Sequence, residues 1–349
     1  MESPIRVLMI TSGWPQPGQP QTTHFVKRQA EFLQRSGVQV EVFQFRGARN
    51  PWNYARAWRD VRPRLDPARV DLVHAQFGQS GVLALPRRLP LVVTLRGSDI
   101  LGIVGTGGRY TLTGRISTAV ARFVVRHADA VVVVSEHMKG YFRTTAPVTV
   151  LPSGLDFELF RTVPRDEARA RLGWPLHKRL VLFAGNPDLP RKRYSLARAA
   201  MDVLNRTLPA ELVIAWGVPH SEIPLYMNAC DAFIFTSMQE GSPNVVKEAL
   251  ACDLPVVSVS IGDTTERLRG IEGCELVTDE RPEALAVALE RVLRRGGRVA
   301  GRVAVAHLAE EAITTQLIDV YRGAIARFAG RPAPSPGEGS MAPAGTLER

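Results

Sequence analysis

The chain is 349 residues long, with 45% apolar and 22% charged residues, which suits one or two globular domains and excludes a disordered or fibrous protein. Its three cysteines, Cys230, Cys252 and Cys274, are too few for a disulfide framework and lack zinc-site spacing, so a reducing compartment is expected. The net charge of +10 sits in the first half, where residues 1–165 hold 22 Lys and Arg against 11 Asp and Glu; this points to an anionic partner rather than to a fold.

Short apolar runs rich in β-branched residues fall at 6–11, 38–45, 72–74, 91–95, 130–135 and 148–151, and again at 180–185, 211–216, 232–236, 255–258 and 275–277. Helical patterns separate many of them, at 25–36, 115–127, 195–204, 244–252 and 282–295. Near-continuous apolar strands alternating with helices predict parallel sheets covered on both faces. The series restarts after a stretch of Pro, Ser and Gly near residue 155. This gives an α/β chain of two doubly wound domains, 1–155 and 156–304. A last helix at 305–328 is expected to pack back toward the first domain, and a Pro- and Gly-rich tail at 329–349 to be disordered. No apolar run approaches the roughly 20 residues that span a bilayer. The first ten residues enter a strand directly, without the pattern of a signal peptide.

The strongest constellation is EGSPNVVKEAL at 240–250, just beyond the run AFIFTS. The Gly-Ser-Pro after Glu240 predicts a loop there, with Pro243 or Asn244 opening a helix that carries Glu248 in its second turn. The free amides of Gly241, Ser242, Asn244 and Val245 would then form an anion site, favoured by the helix dipole. The flanking carboxylates accept protons from neutral hydroxyls. Phosphate in the middle with hydroxyl acceptors on both sides describes a nucleotide sugar. A capped surface helix whose glutamates face water is the plain alternative.

Residues 226–266 (YMNACDAFIFTSMQEGSPNVVKEALACDLPVVSVSIGDTTE) resemble the donor-site signature of family 4 retaining glycosyltransferases. VHAQFGQSG at 73–81, VTLRGSD at 93–99, VVSE at 133–136 and LPSGLDFELF at 151–160 follow in that family's order, so the resemblance covers about residues 5–328. It is most similar to the branch that builds bacterial cell-surface polysaccharides of the teichuronic-acid type. The resemblance implies the GT-B architecture, with two facing Rossmann-like domains, acceptor mainly on the first and sugar nucleotide mainly on the second. It implies that Glu240 accepts hydrogen bonds from the transferred sugar, that Glu248 holds the ribose, and that Gly241, Ser242, Pro243, Asn244 and Val245 carry the diphosphate. In GNPDLPRKR at 185–193, Lys192 matches the family's phosphate-neutralising Lys. Asn186 stands where relatives have an Arg, a loss that Arg191 or Arg193 would have to make good. Gly217 and Val218 match the turn that touches the nucleobase.

Arg96 stands where many relatives have a His beside the reacting centre; a guanidinium is no base, but stabilises anionic charge. His74, Asp99 and Gly13 are the acceptor-side candidates, Asp99 either orienting Arg96, touching the acceptor or capping a helix. The implied activity is transfer of a sugar from a nucleoside diphosphate donor, of UDP or GDP type, to an acceptor hydroxyl with retention. Neither a cofactor nor a metal is expected. Arg115, Arg122 and Arg126 on one face of a helix, with Ile116, Val120 and Phe123 on another, and the aromatic, Arg-rich stretch 53–64 suit an anionic membrane surface. A cytoplasmic protein peripheral to the inner face of the membrane, acting on a glycan or lipid-linked acceptor, is expected. The rival readings are a catalytically inactive nucleotide-sugar binder and a sugar-nucleotide epimerase. Nucleic-acid binding lacks a recognition motif. A dehydrogenase lacks GxGxxG after the first strand.

Overall fold

The computed structural model describes residues 3–15, 23–47, 50–105 and 109–330. Residues 16–22, which include Gly18 of the first loop, and the expected tail from 331 onward lie outside the described residues.

Two fully parallel sheets are present. The first contains β1 (Arg6–Thr11), β2 (Gln39–Gln44), β3 (Leu72–Gln76), β4 (Leu91–Leu95), β5 (Ala130–Val133) and β6 (Val148–Val150), in the order β2-β1-β3-β4-β5-β6. The second contains β7 (Leu180–Ala184), β8 (Glu211–Ala215), β9 (Ala232–Phe235), β10 (Val256–Val259) and β11 (Glu275–Val277), in the order β11-β10-β9-β7-β8. Both sheets share one winding: the second strand lies outside the first and the third on its other side. The strand order therefore reverses between β1 and β3 and between β7 and β9. Loops leaving the carboxyl ends of strands at such a switch point are where doubly wound sheets bind ligands.

Helices cover both faces of each sheet, which is why the strands read as unbroken apolar runs. In the first domain Leu8 and Ile10 point toward α2 (Pro51–Val61), the turn Gly78–Ala84 and α4 (Leu112–Val125), which follows the short α3 (Ser98–Leu101). Val7 and Met9 point the other way, toward α1 (His24–Arg35) and the last helix. In the second domain Leu180 and Leu182 face α7 (Ile223–Ala229) and α8 (Asn244–Ala251), while Val181 and Phe183 face α6 (Tyr194–Leu204) and α10 (Pro282–Arg295). Three short helices, α5 (Arg165–Leu172), α9 (Thr264–Leu268) and α11 (Gly301–Ala304), complete this domain.

The last helix, α12 (Glu310–Phe328), begins in the second domain and lies on the first, where Leu317, Tyr321 and Ala324 join the core against β1, β3 and β5. It starts five residues later than the pattern predicts. Leu155 donates to Leu308 O and accepts from Glu310 N, so the chain is held extended at Ala309 before the helix can open. His74 on β3 is enclosed beneath α12, with Nδ1 2.7 Å from the Tyr321 hydroxyl and Nε2 2.7 Å from Thr94 Oγ1. This acceptor candidate therefore lies outside the cleft; burial pushes its imidazole down to about 3, so it stays neutral.

Candidate active site

A cavity of about 400 Å³ opens between the two domains, at the carboxyl ends of both sheets. Its second-domain wall comes mainly from the loops after β7 and β9, the switch-point pair, with His220 added from the turn after β8. After β9 the chain runs through Glu240 and Gly241 to Pro243, where α8 opens with no side-chain cap on its first turn. The Ser242 hydroxyl turns away and donates to Asp263 at 2.8 Å. Gly241 is required by close approach: a Cβ there would sit 2.8 Å from Arg96 O of the first domain. Ser242, Pro243, Asn244, Val245 and Glu248 line the same space.

After β7, a turn at Pro190–Lys192 sends Arg191 and Lys192 into the cavity. Arg191 Nη1 lies 2.6 Å and Lys192 Nζ 2.7 Å from the same oxygen of Glu240. Burial pushes the Glu240 carboxyl up, but Lys192 and Arg191 outweigh it and hold the group below the ordinary glutamate range. Arg193 points elsewhere, donating to Thr236 O at 2.6 Å and pairing with Glu280. Asn186 accepts from Asp188 N in its own turn and does not line the cavity; neither do Gly217 and Val218 beyond β8.

The first-domain wall is built by the start of α1, by Phe77 after β3 and by residues 96–99 after β4. Asp99 spends both oxygens on backbone amides, those of Gly78, Arg96 and Gly97, so it fixes the loop that carries Arg96 rather than presenting a free carboxylate. Burial pushes its carboxyl up against these bonds. Gly13 packs against Thr23 and lies behind the lining residues.

Three further participants carry no sequence signal, and a fourth, His24, reads from the sequence as a cap or packing residue at a helix start rather than as part of the site. His220, from the turn after β8, places Nε2 3.4 Å from Glu248 Oε1, and with Arg28 and Lys247 it holds that buried carboxylate below the usual range although burial pushes it up. His24 at the start of α1 stacks on His220 across the cleft, ring centroids 4.6 Å apart; burial, with His220 and Arg28 nearby, drives it down to about 4. Arg28 pairs with Glu310 at 2.9 Å and donates to Gly154 O. Lys247 is fully buried and donates to Ser153 O at 2.9 Å, its ammonium pushed down to about 7 by burial. Among the described residues, no group of three or more His, Cys, Asp or Glu could hold a metal ion.

The family model for Glycosyltransferase Family 4 matches residues 3–159, and that for Glycosyl transferases group 1 matches residues 176–295. The two models fall on the two domains in turn and, with the relatives below, support a GT-B glycosyltransferase of the family 4 type. It is 28% identical over 244 residues to a putative teichuronic acid biosynthesis glycosyltransferase, TuaC, of Bacillus subtilis, a match covering 63% of this chain and 61% of that protein. It is 30% identical over 310 residues to a D-inositol 3-phosphate glycosyltransferase of Mycobacterium tuberculosis, covering 75% of this chain and 64% of that protein. The chain thus spans less than two thirds of these two relatives. Among solved structures it resembles a sucrose-phosphate synthase of Thermosynechococcus elongatus (TM-score 0.78, 19% identity, 93% of this chain and 100% of that one). It also resembles Anabaena HepE in complex with UDP-glucose (TM-score 0.61, 18% identity, 93% and 100%). The fold is GT-B, two Rossmann-like domains facing one cleft.

Proposed function

We propose that this family 4-type protein is a retaining glycosyltransferase that moves a sugar from a UDP- or GDP-type donor to an acceptor hydroxyl, with no metal required. The observation that carries the reading is the pairing of Lys192 and Arg191 with Glu240 beside the open first turn of α8. Without donor, the two cations rest on the carboxylate. A diphosphate arriving at the amides of Ser242, Asn244 and Val245 would draw them away, and Glu240 would then accept hydroxyls of the transferred sugar. Arg191, not Arg193, fills the role left open by Asn186, because Arg193 is committed to Thr236 and Glu280. Glu248, steadied by His220, would take the ribose hydroxyls.

In the proposed reaction the bond from the anomeric carbon to the diphosphate oxygen breaks and its electrons leave on phosphate. The acceptor oxygen bonds to the same face of that carbon. Its proton passes to the departing phosphate oxygen, while Lys192, Arg191 and the α8 amides stabilise the developing charge. HepE, a structural neighbour, binds UDP-glucose, which supports this donor class. A thermal-shift panel of UDP, GDP, ADP and their sugars tests the reading. One nucleoside diphosphate at 100 times its Kd should stabilise the protein by about 2.7 kcal/mol, and Glu248→Ala should abolish the shift. No shift with any member would contradict it.

We further propose a role in cell-surface glycan synthesis on a lipid-linked acceptor, with the first domain docked on the inner face of the membrane. No helix among the described residues is long and apolar enough to cross a bilayer. Support comes from α4, which exposes Leu112 (72%), Ile116 (56%) and Phe123 (50%) beside the exposed Arg115, Arg122 and Arg126, so its unburied apolar residues share the surface with its cations. Trp52 on α2 is 80% exposed, and both helices pack on the segment Gly78–Ala84. Part of the 53–64 stretch serves the fold instead: Trp58 donates to Leu85 O, and Arg64 pairs with Glu41. In flotation assays the protein should rise with anionic vesicles, and Ile116→Ser with Phe123→Ser should weaken this. Failure to rise with any vesicle would contradict the docking.

A further inference from the structure

We propose that Arg96 is a specificity-determining residue that selects a substrate bearing an anionic group, a carboxylate or a phosphate monoester, on the transferred sugar or on the acceptor. The proposal rests on the transferase reading and names the substrate class for it.

Four cations line the cavity: Arg28, Arg96, Arg191 and Lys192. Three already face a carboxylate, Arg28 that of Glu310 and the other two that of Glu240. Among the described residues Arg96 alone of the four has only neutral partners. Its Nε and Nη2 donate to Gln76 Oε1 at 3.0 and 2.7 Å, Nη2 also to Gln29 Oε1 at 3.2 Å, and Nη1 to Ser153 Oγ at 2.8 Å. The guanidinium carbon lies 4.6 Å over the Phe25 ring. Gln76 is itself fastened, donating to Gln29 at 2.7 Å.

The guanidinium is therefore locked in orientation with no carboxylate in hydrogen-bond contact, the charges of Glu310 and Asp99 reaching it only from a distance. A guanidinium has five N–H donors, and these contacts use four. Holding an unpaired cation in a cleft is costly, and burial pulls Arg96 down to about 10 without removing its charge at neutral pH. An arriving anion, carboxylate or phosphate alike, recovers that cost by accepting a charge-assisted hydrogen bond from the one N–H left on Nη1, or by displacing the neutral Ser153 hydroxyl from it.

Its place in the site is equally specific. Arg96 O would lie 2.8 Å from a Cβ at Gly241, so the residue abuts the loop that begins at Glu240. The diphosphate has its own cations, Lys192 and Arg191, on the second domain. Arg96 belongs to the first domain and faces the junction where transferred sugar and acceptor meet.

The test measures binding by calorimetry and transfer by product analysis, in wild type, Arg96→Gln and Arg96→Lys, using both uridine and guanosine nucleotides. One arm compares a donor carrying a uronic acid with its neutral hexose counterpart. The other compares a sugar phosphate acceptor with the free sugar. Wild type should prefer the anionic member of one arm by about 10- to 100-fold, the scale of a hydrogen bond to a charged group. The arm that responds names the source of the anion. Arg96→Gln should erase the preference while plain nucleoside diphosphate affinity stays unmoved, and Arg96→Lys should keep part of it. Indifference to charge in both arms, or an equal loss of nucleoside diphosphate binding in Arg96→Gln, would overturn the assignment. Absence of any nucleotide binding in wild type would instead overturn the transferase reading beneath it.

Discussion

Lys192→Met is expected to lower turnover by about 100- to 1,000-fold, the scale seen when one preorganised group that stabilises a developing negative charge is removed. The ammonium sits 2.7 Å from Glu240, and its stem lies against Gly185, whose position a Cβ would share at 3.6 Å from Lys192 Cε. The same substitution takes away a cation that holds the Glu240 carboxyl down, so that carboxyl should rise. The folded protein would then lose the stabilisation that a depressed carboxylate supplies above its ordinary range. Arg191→Gln should cost less, because its side chain is 38% exposed against 14% for Lys192. Steady-state kinetics with the donor found by thermal shift would separate a fall in kcat from a rise in KM. Turnover near that of wild type in Lys192→Met would remove the lysine from the leaving-group role.

Arg28→Met should destabilise the protein by about 3–5 kcal/mol, the cost of stranding one partner of a buried ion pair. Arg28 on α1 and Glu310 at the start of α12 are 8% and 2% exposed, and Arg28 also holds Gly154 O in the segment that joins the domains. Burial pushes the Glu310 carboxyl up even with Arg28 beside it. A carboxyl raised in the folded state resists ionisation, so its cost appears as pH rises through its folded value and vanishes below the unfolded one. The deficit of Arg28→Met should therefore shrink as pH falls toward the ordinary glutamate range. Arg28→Met with Glu310→Gln should recover much of the loss. Denaturant melts at pH 5 and pH 8 check both statements. A deficit independent of pH would mean that Glu310 is not the stranded group.

The strands were legible because both faces of each sheet are buried, so that Val7 to Ile10 and Val256 to Val259 needed no alternation to be recognised. Helices were harder wherever tertiary contacts replace an apolar stripe. In α5, RDEARARL, only Ala168 and Arg169 are buried, and Arg169 is held by Ala229 O, Leu176 O and Asp231 from distant segments. In α2 the start signal is present, since Asn50 caps Trp52 N and Pro51 occupies the first turn, but with only Ala57 and Val61 buried the helix has no broad apolar stripe. Within the cleft, spacing and family likeness pointed to Glu240, Glu248 and Lys192, each carried on one short segment. The division of labour between Arg191 and Arg193 was not legible, because one residue in a tight turn reverses the direction of a side chain. Nor was the exchange of imidazoles. His74 lies within β3 and is covered by α12, whereas His220 reaches Glu248 from the turn after β8, and no pattern in the chain announces that meeting.

The most direct measurement is a crystal structure with the nucleoside diphosphate that stabilises the protein most. The diphosphate should lie against the backbone amides of Ser242, Asn244 and Val245, with Lys192 Nζ and Arg191 swung from Glu240 onto its oxygens. Phosphate bound elsewhere in the molecule, or Lys192 and Arg191 still paired with Glu240 beside an occupied site, would contradict the account.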